Sequence, residues 1–402
     1  MHLIGKVRAA GRKTDRDAAI DRLVIAYPGL GVGTAERKEL LELVGSLRTA
    51  GAAPGAEPNA PEIELTTHER LEETLSGKLD HARHLRVCLS GGGDDPDLFL
   101  AGISTEQVED LLVRLARRLL ESGCYLHYGG TLADLQTKLT QSLIDAANGW
   151  AREQEGAADP QAPPPSAGDL EDPPFVNYAS WPQDARVTLR HRAHLAGICR
   201  FQSVLPAGLA REQLPSQPDV AGDLDHLRLA ADALTSMRDQ SSRDTQLRIV
   251  VAGKIRGALG WLPGIAEEVL CSLEAGQPPL ILGGWGGCAG MLADFLRDPA
   301  APWPKALTLD VQAEVPGSAL QRLAAHAEHR QCAVRRFAQL RRRVSDYRAR
   351  LHDAKRWPGG DELREIALAL LGPSSDGARA PGVAATINRC LHAAQLVPTR
   401  SS

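Results

Sequence analysis

The chain has 402 residues, enough to bury a large core in one main domain with smaller additions. Apolar residues make up 43% and charged residues 24%, as in ordinary globular proteins, and no apolar run approaches the ~18 residues of a membrane span. The net charge of −4 gives no general attraction to nucleic acid or anionic lipid, so we expect neither as a partner.

The seven cysteines are scattered and odd in number, with no C-x-x-C pair and no histidine at metal-binding spacing. We therefore expect buried free thiols, a reducing cytoplasmic location and no bound metal. The basic N-terminal residues have no apolar segment behind them, so no signal peptide is expected.

The N-terminal part begins with an apolar run at 23–26, followed by the stretch YPGLGVGTAE. This stretch lacks the lysine of a phosphate-binding loop, and Thr34 as the N-cap of a helix over 35–47 accounts for it. Proline- and glycine-rich sequence at 49–61 then indicates a linker. We predict a small helical or interaction segment with its linker over residues 1–60.

From about residue 84 to 297, short apolar runs alternate with amphipathic stretches, which is typical of βα units around a parallel sheet. The predicted strands are 84–90, 124–128, 175–178, 198–204, 247–253 and 279–282. The predicted helices are 105–122, 133–147, 224–238 and 265–274. We predict an α/β fold, a Rossmann-like and mostly parallel sheet flanked by helices, over residues 61–300, with a surface excursion at 155–174.

A helical C-terminal extension is predicted over residues 301–402, ending in a short helix after a linker at 372–382. From 318 to 355 the pattern is helical and very basic with interleaved acids, which is typical of a solvated or partner-facing helix. Nucleic-acid binding would require interleaved aromatic residues or a known motif, and this segment has neither.

Three of the predicted strands end in glycine clusters, at 91–93, 129–130 and 283–287. In open α/β sheets, ligands bind at the carboxyl ends of strands, near the switch in strand order. Glycine there lets backbone N–H groups approach a phosphate or ribose that a Cβ would block, and a following helix adds its positive dipole end. Three such loops in one segment favour ligand binding over chance turns.

The loop after the strand at 247–253 continues with Lys254, which either pairs with phosphate or is an ordinary loop charge. A helix then begins at Pro263 and Gly264, with Glu267 and Glu268 in its first turn. Good helix chemistry alone explains these acids, but one carboxylate could instead hold ribose hydroxyls.

The run LPGIAEEVLCSLEAGQPPLILGGWGGCAG resembles the signature of the SLOG superfamily, a Rossmann-like group that includes lonely-guy enzymes and DprA proteins. The closer resemblance is to its cluster-3 type, found in bacterial conflict systems beside effectors. Upstream motifs agree in order: LSGGGDDPDL, ARRLLESGCYLHYGGTLADLQTKLTQSLID, VNYASWP and ALTSMRDQSSRDTQLRIVVAGKIRGALGWLPGIAEE. The resemblance covers roughly residues 84–297 and implies a domain that recognises a nucleotide or nucleotide-derived signal.

The resemblance also implies which residues line the ligand cleft, and no cofactor beyond the ligand itself. Carried over by position, they are Ser90, Gly91, Gly92, Tyr128, Gly129, Gly130, Gly253, Lys254, Pro263, Gly264, Glu267, Gly283, Gly284, Gly286 and Gly287.

Two departures from the superfamily pattern bear on activity. Lonely-guy enzymes carry P-G-G-x-G-T-x-x-E, whereas here Pro263 and Gly264 lead directly into the helix with Glu267, which argues against phosphoribohydrolase activity. A Gly-Asp-Leu-Arg run common after the tyrosine–glycine pair is replaced by Thr131-Leu132-Ala133-Asp134, which removes an arginine that would meet phosphate.

The leading hypothesis is a non-catalytic nucleotide sensor in prokaryotic defence or stress signalling, in which Glu267 holds ribose and Lys254 balances charge. Its partners would be an effector protein or further copies of the chain. The alternative is an enzyme that cleaves N-glycosidic or phosphoribosyl bonds, with Glu267 or Glu268 as the acid. A third reading is an adaptor whose basic helix recruits an effector and whose pocket is vestigial.

Overall fold

The computed structural model describes residues 22–27, 62–67, 85–92, 98, 102–130, 138–157, 173–357, 360–372 and 383–397. The predicted helix at 35–47, the motif at 131–134 and most of the excursion at 155–174 lie outside these residues. The chain divides into two compact units, residues 1–79 and 80–402.

The first unit contains two paired strands, β1 (Arg22–Tyr27) and β2 (Glu62–Thr67). They run parallel, with Arg22 opposite Glu62 and Tyr27 opposite Thr67. The apolar run predicted at 23–26 therefore forms the centre of a strand.

The second unit is built on a six-stranded sheet in which every described pairing is parallel. Its strands are β3 (Arg86–Gly92), β4 (Tyr125–Gly129), β5 (Phe175–Ser180), β6 (Cys199–Val204), β7 (Leu247–Ala252) and β8 (Pro279–Leu282). The order β6-β5-β4-β3-β7-β8 places the first strand of the sheet in its middle. The chain adds strands on one side of β3 and then continues on the other, so the switch point lies between β3 and β7. The α/β, Rossmann-like prediction is confirmed.

Eleven α-helices of this unit fall within the described residues. They are α1 (Thr105–Glu121), α2 (Lys138–Ala157), α3 (Leu189–His194), α4 (Leu224–Arg243), α5 (Gly264–Glu274), α6 (Gly287–Arg297), α7 (Leu309–Ala313), α8 (Ala319–Ala324), α9 (Ala327–Leu351), α10 (Gly360–Leu370) and α11 (Val383–Leu396).

Helices cover both faces of the sheet. Leu112 of α1 packs against Gly91 on one face, and Met237 of α4 packs against Gly129 on the other. All six residues of β7 are buried, as expected for a central strand of a parallel sheet with both faces covered.

The predicted basic helix forms α8 and α9. Its buried positions recur every three or four residues: Ala333, Phe337, Leu340, Val344, Tyr347 and Leu351. This apolar stripe packs on α5 and α6, and the Tyr347 hydroxyl donates to the backbone oxygen of Pro279 at 2.9 Å. This hydrogen bond joins α9 to the first residue of β8, a strand that α10 also contacts.

The seven cysteines form no disulfide with one another, and all except the half-buried Cys332 are buried, as predicted. None of the helices in the described residues combines the length and apolar character that crossing a bilayer requires.

Candidate functional site

The carboxyl ends of β3 and β7 lie side by side at the switch point. Gly91 is opposite Val251 and Gly92 opposite Ala252, and the Gly253 N–H continues the ladder by donating to the Gly92 oxygen at 3.0 Å. Two glycine-bearing strand ends predicted as ligand loops are thus hydrogen-bonded to each other. This is the part of a doubly wound sheet where ligands bind.

Gly253 is the point where four elements meet. Its φ of +83° belongs to the left-handed region, and a Cβ there would clash with Ile265 in the first turn of α5. A Cβ on Gly287, the first residue of α6, would come within 2.6 Å of the Gly253 oxygen. That oxygen accepts a hydrogen bond from the Cys288 N–H at 2.8 Å. Absent side chains therefore bring the ends of β3 and β7 against the N-termini of α5 and α6.

Ala252 is a feature of this site that sequence reasoning missed. Its φ is +53°, a conformation that costs a non-glycine residue free energy and is concentrated at functional sites. Together with Gly253, it gives two successive left-handed residues at the end of β7. An alanine after a β-branched run carries no sequence signal for such a turn.

Two helix N-termini face this junction. Helix α5 begins after Pro263 and α6 after Gly286, and neither N-terminus is capped by a side chain of the described residues. The first N–H groups of a helix lack intrahelical partners and carry a partial positive charge, so they attract anions. The arrangement suits a phosphate or another anionic group.

Among the predicted cleft glycines whose surroundings the structure describes, one leaves open space. A Cβ on Gly92 would meet no described atom within 4 Å, whereas one on Gly91 would lie 2.6 Å from Val251 Cγ1. Gly129 and Gly130 make room for Met237 and the Tyr128 ring. Packing against neighbouring side chains and backbone therefore explains most of these glycines, whereas Gly92 leaves open space at the end of β3.

The loop after β8 is covered by the C-terminal helices. A Cβ on Gly283 would clash with the Leu371 oxygen, just after α10, and with Ala293 of α6. A Cβ on Gly372 would lie 2.9 Å from the Gly284 nitrogen. The predicted ligand residues Gly283 and Gly284 thus contact another part of the chain.

Glu267 is fully buried and is bonded on both carboxylate oxygens. Oε1 accepts from Thr235 Oγ1 and from an Arg336 Nη, each at 2.7 Å, and Oε2 pairs with Arg238. Burial by itself would raise the pKa of Glu267, but the charges of Arg238 and Arg336 hold this pKa below its ordinary value. The carboxylate therefore stays ionised and shielded by protein groups, and its contact with ribose stays a prediction.

Glu268 is mostly buried and pairs with two arginines, at 3.3 Å from Arg248 and 3.8 Å from Arg238. Arg248 lies on β7 with its side chain inside the protein. Its guanidinium donates to five side chains from three elements: Ser90, Ser241, Ser242, Glu268 and Ser272. The predicted ligand residue Ser90 is thus engaged through its hydroxyl at 2.6 Å from Arg248. The sequence did not predict the three arginines of this network, Arg238, Arg248 and Arg336, because none of them lies in a glycine loop.

Two hydrogen bonds hold the loop between β7 and α5 in place. Gln312 Nε2 donates to the Ile255 oxygen at 2.7 Å, and Trp261 Nε1 donates to Asp232 at 2.8 Å. Lys254 remains exposed at the start of this loop. The loop therefore holds its cation beside Gly253 without burying it.

A second buried polar group lies further along the same sheet. Tyr178 donates its hydroxyl hydrogen to Asp244, so at 2.8 Å it accepts from His127 Nδ1, which fixes the neutral Nδ1–H tautomer. Burial, together with the charges of Arg86, Arg200 and Arg248, lowers the pKa of His127 to about 3.

Among the described residues, no group of three or more His, Cys, Asp or Glu side chains is placed to hold a metal ion.

The family model described as SLOG cluster2 matches residues 81–351. The matched segment contains all six strands of the large sheet and ends with α9. No curated protein matches the chain. The resemblance to the SLOG superfamily is confirmed, but its cluster-3 assignment is corrected to cluster2.

Proposed function

Because the chain belongs to the SLOG cluster2 family, which supports a nucleotide-related function, we propose that it binds a nucleotide or nucleotide-derived ligand as a non-catalytic sensor. Its proposed setting is prokaryotic defence or stress signalling. The observation that carries the proposal is the meeting of two uncapped helix N-termini at Gly253, beside the open position at Gly92.

In this proposal, backbone groups bind the ligand and side chains set the geometry. The N–H groups at the starts of α5 and α6 that are not bonded within the protein, which excludes that of Cys288, take the phosphate. Gly92 admits it next to the sheet, and the exposed Lys254 supplies a countercharge. The other residues predicted to line the cleft hold the starts of α5 and α6 and the end of β3 in place. Direct contacts of Tyr128, Gly130 and Glu267 with the ligand stay proposals.

The surroundings of the two acidic candidates favour binding over bond cleavage. A general acid needs a pKa raised towards neutrality and a path to the substrate. Glu267 has a lowered pKa and no exposed surface, and Glu268 is paired with two arginines. Neither carboxylate is arranged to donate a proton to a leaving base.

Calorimetric titration with AMP, NAD and cyclic nucleotides tests binding, with Gly92→Ala as the informative variant. The added methyl group meets no described atom, so we expect the fold to be retained. Because the methyl group obstructs the ligand's approach, we expect affinity to fall about tenfold or more. Gly149→Ala on α2 is the matched control, because its Cβ also meets no described atom. Equal affinity in both variants would contradict a ligand at the switch point.

Chromatography of the same mixtures separates the sensor from the enzyme. We expect each nucleotide to be recovered intact after prolonged incubation. Sustained release of free base that Glu267→Gln abolishes would replace the sensor by a glycosidase or phosphoribohydrolase.

A further inference from the structure

Helix α9 is bonded on one side to α5, the helix that starts at the proposed site. Arg336 reaches Glu267 at 2.7 Å, and Gln339 donates to Glu274 at the other end of α5. The apolar stripe of α9 extends beyond these polar contacts, from Ala333 to Leu351, and is buried. The inner side of α9 thus packs within the protein.

The opposite side of α9 is exposed, and we call it the α9 outer face. Its centre consists of Val334, Arg335, Ala338, Arg341 and Arg342, and two exposed acids, Glu328 and Asp346, lie at its edge, seven residues before Arg335 and four after Arg342. Arg335 and Arg342 are seven residues apart and therefore lie on the same side, two turns from each other. None of its three arginines forms an ion pair with any described residue, although charges elsewhere on the surface are commonly paired.

The outer face combines charge with apolar surface. Val334 is 50% exposed, among the most exposed large apolar side chains in the described residues, and it lies beside Arg335. Ala338 follows one turn later and allows another helix to approach closely. Arginines around a small apolar centre are typical of protein interfaces.

The charge and the apolar surface of the α9 outer face indicate which class of partner fits it. Three arginines without an ion pair at its centre outnumber the two acids at its edge, so the face attracts an acidic surface more strongly than it attracts a second copy of itself. The chain's net charge of −4 and the lack of an aromatic side chain on the described outer face disfavour nucleic acid. A protein segment that presents carboxylates at helical spacing fits both the charge and the apolar centre.

We propose that the α9 outer face is a docking surface for an acidic helical segment of a partner protein. The surface is separate from the switch point, so docking and nucleotide binding can fail independently. The same helix carries Arg336 on its inner side, where it bonds to Glu267. The docking surface and the network around Glu267 therefore lie on opposite sides of one helix.

Fluorescence anisotropy with the full chain tests this surface. The probe is a labelled synthetic peptide of about 20 residues, with glutamates every third or fourth position and leucines between them. A shuffled peptide of the same composition measures charge attraction alone. Duplex DNA and vesicles containing phosphatidylserine test the other anionic partners.

The double variant Arg335→Glu/Arg342→Glu should weaken binding of the patterned peptide about tenfold or more, and its thermal midpoint should not change because both side chains are exposed. Arg190→Glu/Arg243→Glu, a charge reversal of the same size on other exposed arginines, should leave the affinity unchanged. If the double variant fails to fold, Arg342→Gln replaces it, with the same direction of effect expected. Equal binding of the shuffled peptide, equal loss in the control variant, or tighter binding of DNA or vesicles would overturn the proposal.

Discussion

His127 shows how burial of one side chain makes stability depend on pH. The imidazole is neutral because burial and three nearby arginines oppose its positive form, and its hydrogen bond to Tyr178 uses Nδ1–H. Its pKa is about 3 in the folded protein and near its ordinary value of 6.5 in the unfolded chain. Between these two pKa values only the unfolded chain binds the proton. The contribution of the neutral His127 to the free energy of unfolding is therefore complete above pH 6.5 and decreases as the pH falls.

We therefore expect His127→Gln to flatten the pH dependence of the free energy of unfolding. Between pH 6 and 4 the wild-type value should fall more steeply than that of the variant, by about 1.4 kcal/mol per pH unit. Urea unfolding at several pH values measures the difference. His194→Gln at an exposed position is the control and should keep the wild-type slope, whereas parallel curves for His127→Gln and wild type would contradict a neutral buried imidazole.

At the scale of elements, the start of α5 is held by a network of buried charges. The Glu267 carboxylate of α5 accepts hydrogen bonds from Arg238 of α4 and Arg336 of α9, so it joins three helices. Removing one partner of such a network leaves a buried charge incompletely compensated, which destabilises more than the loss of an exposed pair. The network therefore positions the N-terminus of α5 at the switch point.

Arg336→Gln should lower the free energy of unfolding by about 2 kcal/mol. This is less than the cost of leaving Glu267 without any partner, because Arg238 and Thr235 still bond to its carboxylate. Arg341→Gln, on the exposed side of the same helix, should change it by less than about 0.5 kcal/mol. Denaturant titration compares the two. Similar effects for both variants would show that the contact between Arg336 and Glu267 does not stabilise the fold.

At the scale of the whole second unit, the two last helices lie outside the family match yet reach its sheet. The match ends at residue 351, whereas α10 and α11 follow it. The chain just after α10 contacts Gly283, and Arg297 of α6 donates to the Leu371 oxygen at 2.9 Å. The glycine loop after β8 therefore joins the family fold to the C-terminal helices.

Gly283→Ala should destabilise the protein by about 1–3 kcal/mol, because the methyl group would overlap both the Leu371 oxygen and Ala293. Hydrogen exchange should show the largest loss of protection in α10. Gly149→Ala, in an open position on α2, should be neutral or stabilising. Unchanged protection of α10 in Gly283→Ala would mean that this contact is not required for docking of the C-terminal helices.

The amino-acid sequence by itself determined the class of the fold and many elements of the second unit. Short apolar runs located all six strands, and apolar periodicity located the helices α1, α4, α5 and α9, because burial of one helix face leaves a local pattern. The helix predicted over 133–147 is α2, which spans Lys138–Ala157, and α6 was not predicted. It also indicated the glycine loops at the strand ends. Some boundaries differed by a few residues, as for α4, which continues to Arg243, since helix ends depend on local capping and packing.

Only the tertiary structure decided which glycines face open space and which side chains meet. Gly91 and Gly92 are adjacent in sequence, but only the packing of Val251 and Leu112 distinguishes them. Arg248 and Ser90 are 158 residues apart, and Arg336 and Glu267 are 69 apart. Such contacts depend on strand order and on how helices cross the sheet, and they leave no periodic signal in the chain. For this reason the sequence indicated the glycine loops at the strand ends, whereas the charge network beside them became visible only in the folded protein.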